Sequence, residues 1–226
     1  MHLKDFISSP QEAVWALIGT ILADGHIAKK RRGYINKSYI EITHTSKNLD
    51  YLKELKDFIE STLGIKCSIR EHNKRTKEKT YLLFRLSTES CKLFARIREY
   101  LYKDGFKTFP KEIMNRLSEL SLFLMYLDDG TFKATFYPGT GNLREARIYL
   151  CFDSFTITEI NNFRKVLKDK FNIDTGYYRH SKNMPENRGF RISINTENTK
   201  KFMQIIDKYY GIIPSMNYKF LKYYLL

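Results

Sequence analysis

Shifted by 108 residues, this chain meets itself. Leu63-Gly64-Ile65 falls on Phe171-Asn172-Ile173, and His72 falls on His180. Thr88-Glu89, Lys92 and Phe94 fall on Thr196-Glu197, Lys200 and Phe202, with no gap over the whole stretch. Chance similarity rarely keeps one register over such a span, so the chain is read as two copies of one structural unit. We place the boundary between 108 and 109, giving repeats 1–108 and 109–226.

Hydrophobic periodicity assigns the same order to each copy: helix, two strands, helix, two strands, helix. In the first copy a helix is expected over Pro10–Ala23. Ser9 is its N-cap, Pro10 lies in the first turn and Glu12 completes a capping box. Strand-like segments follow at Lys30–Arg32 and at Tyr39–Thr45, where Ile40 and Ile42 alternate with Tyr39 and Glu41. Leu52, Leu55, Ile59 and Leu63 define a helix over Leu49–Leu63. Strands at Ile65–His72 and Thr80–Ser87 and a helix at Ser90–Tyr102 complete the unit. The second copy is read as helix Leu117–Asp128, strands within Arg144–Phe152, helix Thr158–Phe171, strands Thr175–His180 and Phe190–Asn195, and helix Thr199–Tyr209. The join, Lys103–Leu117, is too short for a loose linker. The fold class is therefore α+β, with two pseudo-symmetric αββαββα halves.

Each copy opens on a helix that is apolar on nearly all sides and ends in acid and glycine. The first reads Leu17-Ile18-Gly19-Thr20-Ile21-Leu22-Ala23-Asp24-Gly25 and the second Leu122-Phe123-Leu124-Met125-Tyr126-Leu127-Asp128-Asp129-Gly130. Helices of this kind must be buried all round, which makes them the natural central pair if the halves pack together. The glycines fit left-handed helix ends. The aspartates do not fit so easily, because a carboxylate at a helix C-terminus faces the negative end of the macrodipole and costs about 0.3–1 kcal/mol even when exposed. A divalent cation turns that penalty into binding energy. A lone Asp-Gly is usually no more than a turn. The same dipeptide ending the same kind of helix in both repeats, 129 − 24 = 105 residues apart, favours a metal site.

Charge points to a polyanion. The chain carries 39 Lys and Arg against 25 Asp and Glu, a net charge of +14, and the excess is shared between the halves. Residues 1–110 have 21 basic and 13 acidic groups, and residues 111–226 have 18 and 12. Two basic halves suggest two surfaces facing one nucleic acid. Cys67, Cys91 and Cys151 form no C-x-x-C pair, so neither a disulfide framework nor a zinc site is indicated. The amino terminus lacks the apolar core of a signal peptide, and the apolar run Ala13–Ala23 is too short to span a bilayer. An intracellular, soluble protein without membrane contact is expected.

The paired helix motifs resemble the signature of the LAGLIDADG homing endonucleases, in the single-chain form with two motif copies. Lys107-Thr108-Phe109-Pro110, Asp153-Ser154-Phe155-Thr156 and Pro214-Ser215-Met216-Asn217-Tyr218-Lys219 also resemble elements of one branch of that family, so the likeness covers Gln11 to Lys219. Leu124 departs from the pattern, standing where tight packing of the motif helices prefers a small residue. The resemblance implies two antiparallel sheets forming a saddle over DNA. It implies that Asp24 and Asp129 bind two or three Mg2+ ions, replaceable in vitro by Mn2+ or Ca2+, with the backbone carbonyls of Ala23 and Asp128 as further ligands. Lys107 and Lys219, at matching places in the halves, would stabilise the phosphate or order water. Each centre would cut one strand, leaving short 3′ overhangs. His44 stands where relatives carry a polar active-site residue, but its repeat partner is Phe152; Asp153 is its neighbour in that register.

Alternation along the strands supplies a face for reading base edges in the major groove. Lys66, Ser68, Arg70 and His72 lie opposite Ile65, Cys67 and Ile69. Arg191, Ser193 and Asn195 lie opposite Phe190, Ile192 and Ile194. Arg85, Arg147, Tyr149, Tyr178 and His180 fall in similar positions, and Arg32 sits in a basic loop suited to phosphates. Because the halves differ, the expected target is long and asymmetric double-stranded DNA, bound by a monomer with internal two-fold pseudo-symmetry. An intron maturase acting on RNA is the alternative on the same scaffold, and a non-cleaving regulator would be expected to have lost one acid.

Overall fold

The structure is a computed structural model that describes residues 1–29, 37–75, 80–181 and 183–221. Arg32 and the whole of the expected strand Lys30–Arg32 lie outside the described residues. The first half contains α1 (Pro10–Leu22), β1 (His26–Lys29), β2 (Ser38–Thr45), α2 (Leu49–Leu63), β3 (Cys67–Arg75), β4 (Thr80–Thr88) and α3 (Lys92–Leu101). A short hairpin, β5 (Tyr102–Lys103) and β6 (Phe106–Lys107), and the turn of helix α4 (Lys111–Met114) make the join. The second half contains α5 (Glu119–Asp129), β7 (Gly130–Phe136), β8 (Leu143–Leu150), α6 (Ile157–Phe171), β9 (Gly176–Arg179), β10 (Phe190–Ile194) and α7 (Thr196–Ile206). A last turn of helix, α8 (Tyr218–Leu221), follows.

Both halves are αββαββα, as the repeat requires. Their antiparallel sheets have the same strand order, β1-β2-β4-β3 and β7-β8-β10-β9. Alternation sets the buried faces: Ile40 and Ile42 of β2 are fully buried, as are Ile192 and Ile194 of β10. One continuous apolar core runs through both halves, with α1 and α5 at its centre. Among the described residues no helix is long and apolar enough to cross a membrane.

The approach of α1 to α5 is set by small residues. A Cβ added to Gly19 would lie 2.5 Å from the carbonyl oxygen of Ser121. Ser121 in turn donates from Oγ to the carbonyl of Trp15 at 3.0 Å. Ser121, one turn before Leu124, therefore supplies the small contact that the second motif lacks at 124.

Three local expectations are corrected. Glu12 bonds to the Ser8 amide and hydroxyl, so Ser9 caps α1 through the Glu12 amide without closing a capping box. Gly25 and Gly130 are not left-handed; positive φ among the helix ends occurs instead at Gly64 (65°) and Asn172 (53°), which are repeat equivalents closing α2 and α6. Gly130 continues directly into extended β7, and any Cβ there would meet the Tyr126 ring at 2.1 Å, so its role is steric. Strand β7 was not anticipated from the sequence, and neither was the β5–β6 hairpin. That hairpin turns on Asp104 and Gly105, both at positive φ, the residue pair that a two-residue turn of this hand demands.

Candidate metal centre and nucleic-acid interface

The C-terminal ends of α1 and α5 deliver three carboxylates to one place. Asp24 follows α1 in a turn and is exposed. Helix α5 runs to Asp129, two residues beyond the point equivalent to the end of α1. That extra helix rotates the doublet, because successive side chains on a helix point about 100° apart. The Asp128 side chain consequently turns inward and is completely buried, and Asp129 lines a cleft of about 320 Å3 with Asp128, Thr131, Cys151 and Lys219. The side chain that joins Asp24 is that of Asp128, a residue for which only the backbone carbonyl was expected to matter.

His44 completes the cluster. It occupies an even position on β2, the same side as Ile40 and Ile42, so it points inward at the end of the strand. Donor atoms of Asp24, His44 and Asp128 lie within 4.8 Å of one another. His44 Nε2 is 3.3 Å from Asp128 Oδ1, yet neither Nε2 nor either Asp128 oxygen has a hydrogen bond of good geometry within the protein. The Tyr51 ring stands edge-on to His44 at 5.1 Å, and Tyr51 Oη lies 3.3 Å from Thr20 Oγ1 of α1. Sequence reasoning missed Tyr51 and Thr20; the only available signal was a polar atom on otherwise apolar helix faces.

Electrostatics at the centre are strained. Burial first, and then the charges of Asp24 and Asp128, push the Asp129 carboxyl up to about 7. Burial also raises Asp128, against the opposing pull of His44. Burial disfavours a charged His44, but the Asp128 carboxylate more than compensates and its pKa rises. Against these acids stand Lys107 of β6 and Lys219 of α8. Each ammonium has three donors, and each meets three carbonyls. Lys107 bonds those of Leu22, Ala23 and Gly25, and Lys219 those of Tyr126, Leu127 and Gly130. The two lysines thus cap the central helices at their negative ends. Burial lowers the pKa of both, with the three aspartates opposing. The Ala23 carbonyl accepts from Lys107 at 2.7 Å, while no partner of the Asp128 carbonyl is part of this capping. Three carboxyl groups meet two ammonium groups here, and burial works against the charged forms of Asp128 and Asp129, a conflict that a divalent cation would relieve.

The remaining motif segments hold this arrangement. Glu159 forms the capping box of α6 with Thr156 and also accepts from the Phe109 amide, fixing the stretch that carries Lys107. Phe109 is buried against Phe152, Phe155 and Phe163. The repeat partner of His44 is therefore an aromatic core residue. Asp153 accepts from Arg191 at 3.0 Å and is not part of the Asp24–His44–Asp128 cluster. Ser215 bonds Asp50 of α2, so the segment bearing Lys219 is anchored on the opposite half.

Strand register collects most of the expected DNA-facing residues on the outer sheet faces. Ser68, Arg70 and His72 of β3 pair with Ser87, Arg85 and Leu83 of β4, and Arg85 also faces Thr43 of β2. Lys66 is exposed just before β3. In the second half Arg147 and Tyr149 of β8 share a face with Ser193 and Arg191 of β10 and Tyr178 of β9. Tyr178 stands edge-on to Tyr149 and to His180. Asn195 is at the strand end, where its Oδ1 accepts from Asn198 as the cap of α7. Lys133 of β7, opposite Arg147, joins this face and was missed with its strand. Matching hollows of about 290 and 350 Å3 mark the two faces, the first lined by Tyr39 and Ser68 and the second by their repeat partners Arg147 and Gly176. Arg85, Arg147 and Arg191 pair with Glu41, Glu145 and Asp153 on these faces.

Comparison with known proteins agrees with this architecture. The chain is 27% identical over 214 residues to the cytochrome b mRNA maturase bI2 of Saccharomyces cerevisiae, covering 90% of this chain and 46% of that protein. It thus spans about half the length of that relative. The homing endonuclease I-WcaI bound to its DNA recognition sequence superposes with a TM-score of 0.75 at 20% identity, over 96% of this chain and 90% of that one. A variant of I-DmoI in complex with its target DNA and Mg gives 0.54 at 16% identity, over 87% and 96%. Residues 15–202, spanning both motif helices and both sheets, match the LAGLIDADG DNA endonuclease family, and the chain belongs to that family.

Proposed function

We propose that the chain is a site-specific endonuclease that hydrolyses both strands of a long, asymmetric DNA duplex with the help of divalent cations. The observation that carries this reading is the convergence of Asp24, Asp128 and Asp129 at the tips of two central helices, between two sheets whose outer faces are rich in arginine. A buried carboxyl group with orphaned oxygens fits a cation site. The I-DmoI complexes, described with Mg, Mn or Ca, point to the same class of ion. When bound, such an ion would polarise the phosphate and make water a nucleophile at neutral pH.

Asp24, Asp128 and Asp129 would hold the metal ions. Lys107 and Lys219 keep the helix ends in register by satisfying their last carbonyls, and their charge steadies the acids until metal and phosphate arrive. Arg70, Arg85, Arg147 and Arg191 would meet base edges or phosphates, the last three exchanging carboxylate partners for the polyanion. The unequal faces, with Arg85 where the other half has Ser193 and Tyr39 where it has Arg147, favour a target without two-fold symmetry. The chain would act as a monomer inside the cell, with the repeats meeting at 108/109 and the cut leaving short 3′ overhangs.

Likeness to a maturase supports a second reading, an RNA-splicing cofactor on the same scaffold. A cleavage assay separates the two. Wild-type protein should linearise a plasmid from a library of candidate sites in Mg2+, and Asp24→Asn and Asp129→Asn should each lose at least about a hundredfold in rate, as expected when a charge acting at the reacting centre is removed. Tight intron binding by a wild type that never cuts would overturn the endonuclease reading.

A further inference from the structure

The halves repeat each other at the helix tips but not at the end of β2. There His44 points into the carboxylate cluster, and its equivalent Phe152 is locked among Phe109, Phe155 and Phe163. We infer that His44 is a nitrogen ligand, with Asp24 and Asp128, of one asymmetric metal site that selects transition ions such as Mn2+ or Co2+ over Mg2+.

Three independent features carry this. The donor atoms come from both halves and lie within 4.8 Å of each other. Ligand distances of about 2.1 Å place neighbouring ligand atoms about 3–3.4 Å apart, so closing on an ion needs side-chain shifts of about an ångström. Next, the atoms aimed at that space are orphaned: both oxygens of the fully buried Asp128, and Nε2 of a His44 side chain only 9% exposed. Finally, the orientation of the ring is imposed by its surroundings, by its parity on β2 and by the edge of Tyr51. The affinity of a site holding an imidazole nitrogen rises from Mn2+ through Co2+ and Ni2+ to Cu2+, while Mg2+ favours carboxylate, carbonyl and water oxygens. A mixed set of one nitrogen and two carboxylates therefore discriminates, and Asp129 stands apart from the imidazole in its own cleft with Thr131, Cys151 and Lys219.

This rests on the proposed metal-dependent function, and the experiment keeps the two apart. Pulsed EPR of Mn2+-loaded wild-type protein should show nitrogen modulation from a directly bound imidazole, absent in His44→Phe, the residue the other half already uses. Calorimetric titration should show Mn2+ binding more tightly than Mg2+, with the preference falling by about tenfold or more in His44→Phe. Mn2+ bound without nitrogen modulation in wild type, or an unchanged preference in a folded variant, would overturn the inference while Mg2+-dependent cleavage by wild type upheld the endonuclease. A wild type that neither binds divalent ions nor cleaves would sink both. If His44→Phe does not fold, the EPR measurement on wild type decides alone.

Discussion

Replacing Asp129 with Asn should make the metal-free protein more stable, against the usual direction of single substitutions. The carboxyl of Asp129 is pushed from its ordinary 3.8 to about 7 by burial and by the neighbouring acids. A carboxylate whose pKa is higher in the folded state binds its proton more tightly there, so it favours folding at low pH and opposes it once ionised. Its destabilisation is absent below about pH 4, grows through the window between 3.8 and about 7, and is complete above it. A pKa difference of about 3, at about 1.4 kcal/mol each, gives on the order of 4 kcal/mol at pH 8. The neutral amide removes that term and leaves a buried polar group costing about 1–3 kcal/mol if unpaired, so a net gain of about 1–3 kcal/mol is expected. In a chain of this size this corresponds to roughly 2–12 °C in Tm. Thermal unfolding in EDTA should show the variant ahead at pH 8, with the gap closing toward pH 4 and reversing when Mn2+ is added to wild type. A variant that melts at or below wild type at every pH would refute the view that the acids are held in mutual conflict.

Gly19→Ala places a Cβ 2.5 Å from the Ser121 carbonyl and should force α1 and α5 apart, lowering stability in urea by about 1–3 kcal/mol and cutting the cleavage rate. Lys219→Met strips three helix-end carbonyls of their donor and leaves the acids less compensated; about 3 kcal/mol of stability should be lost at neutral pH, measurable by chemical unfolding. Phe152→His puts an imidazole among Phe109, Phe155 and Phe163 with no polar partner, and should cost about 3 kcal/mol or more in the same assay.

The repeat made most of the fold legible. Periodicity located α2 at Leu49–Leu63 to the residue, because its apolar positions and the terminating Gly64 are local signals. Strand β7 escaped because it grows straight out of α5 with no turn between them, although Thr131, Lys133 and Thr135 do alternate with Phe132 and Ala134. The hairpin before Lys107 was signalled by Asp104-Gly105, but two-residue strands have no periodicity to read. At the site, the twin Asp-Gly helix ends singled out Asp24 and Asp129, and the resemblance added both lysines. It did not lead to the Asp128 side chain, since that depends on α5 running two residues further than α1, a length set by tertiary packing rather than by the Asp-Asp-Gly string. Nor did the sequence reveal that Arg85 and Arg191 each have an acidic neighbour, which requires the register of pairs 44 and 38 residues apart; the Glu145 partner of Arg147 follows from parity on one strand.

Duplication explains why this centre is both symmetric and lopsided. Helix tips and their lysine caps lie on the pseudo-axis, where a change in one copy disturbs the other, so both copies keep an acid, a glycine and a three-carbonyl cap. The ends of β2 and β8 lie off that axis and answer to different neighbours. In the second half the position is filled by the aromatic cluster that anchors the stretch carrying Lys107, and Phe152 is wholly buried there. In the first half the same position looks across the helix pair to Asp128, whose burial follows from the longer α5. The imidazole at 44 and the inward carboxylate at 128 thus depend on each other: either alone would leave a buried polar group without its neighbour, and with Asp24 they draw both repeats into one cluster.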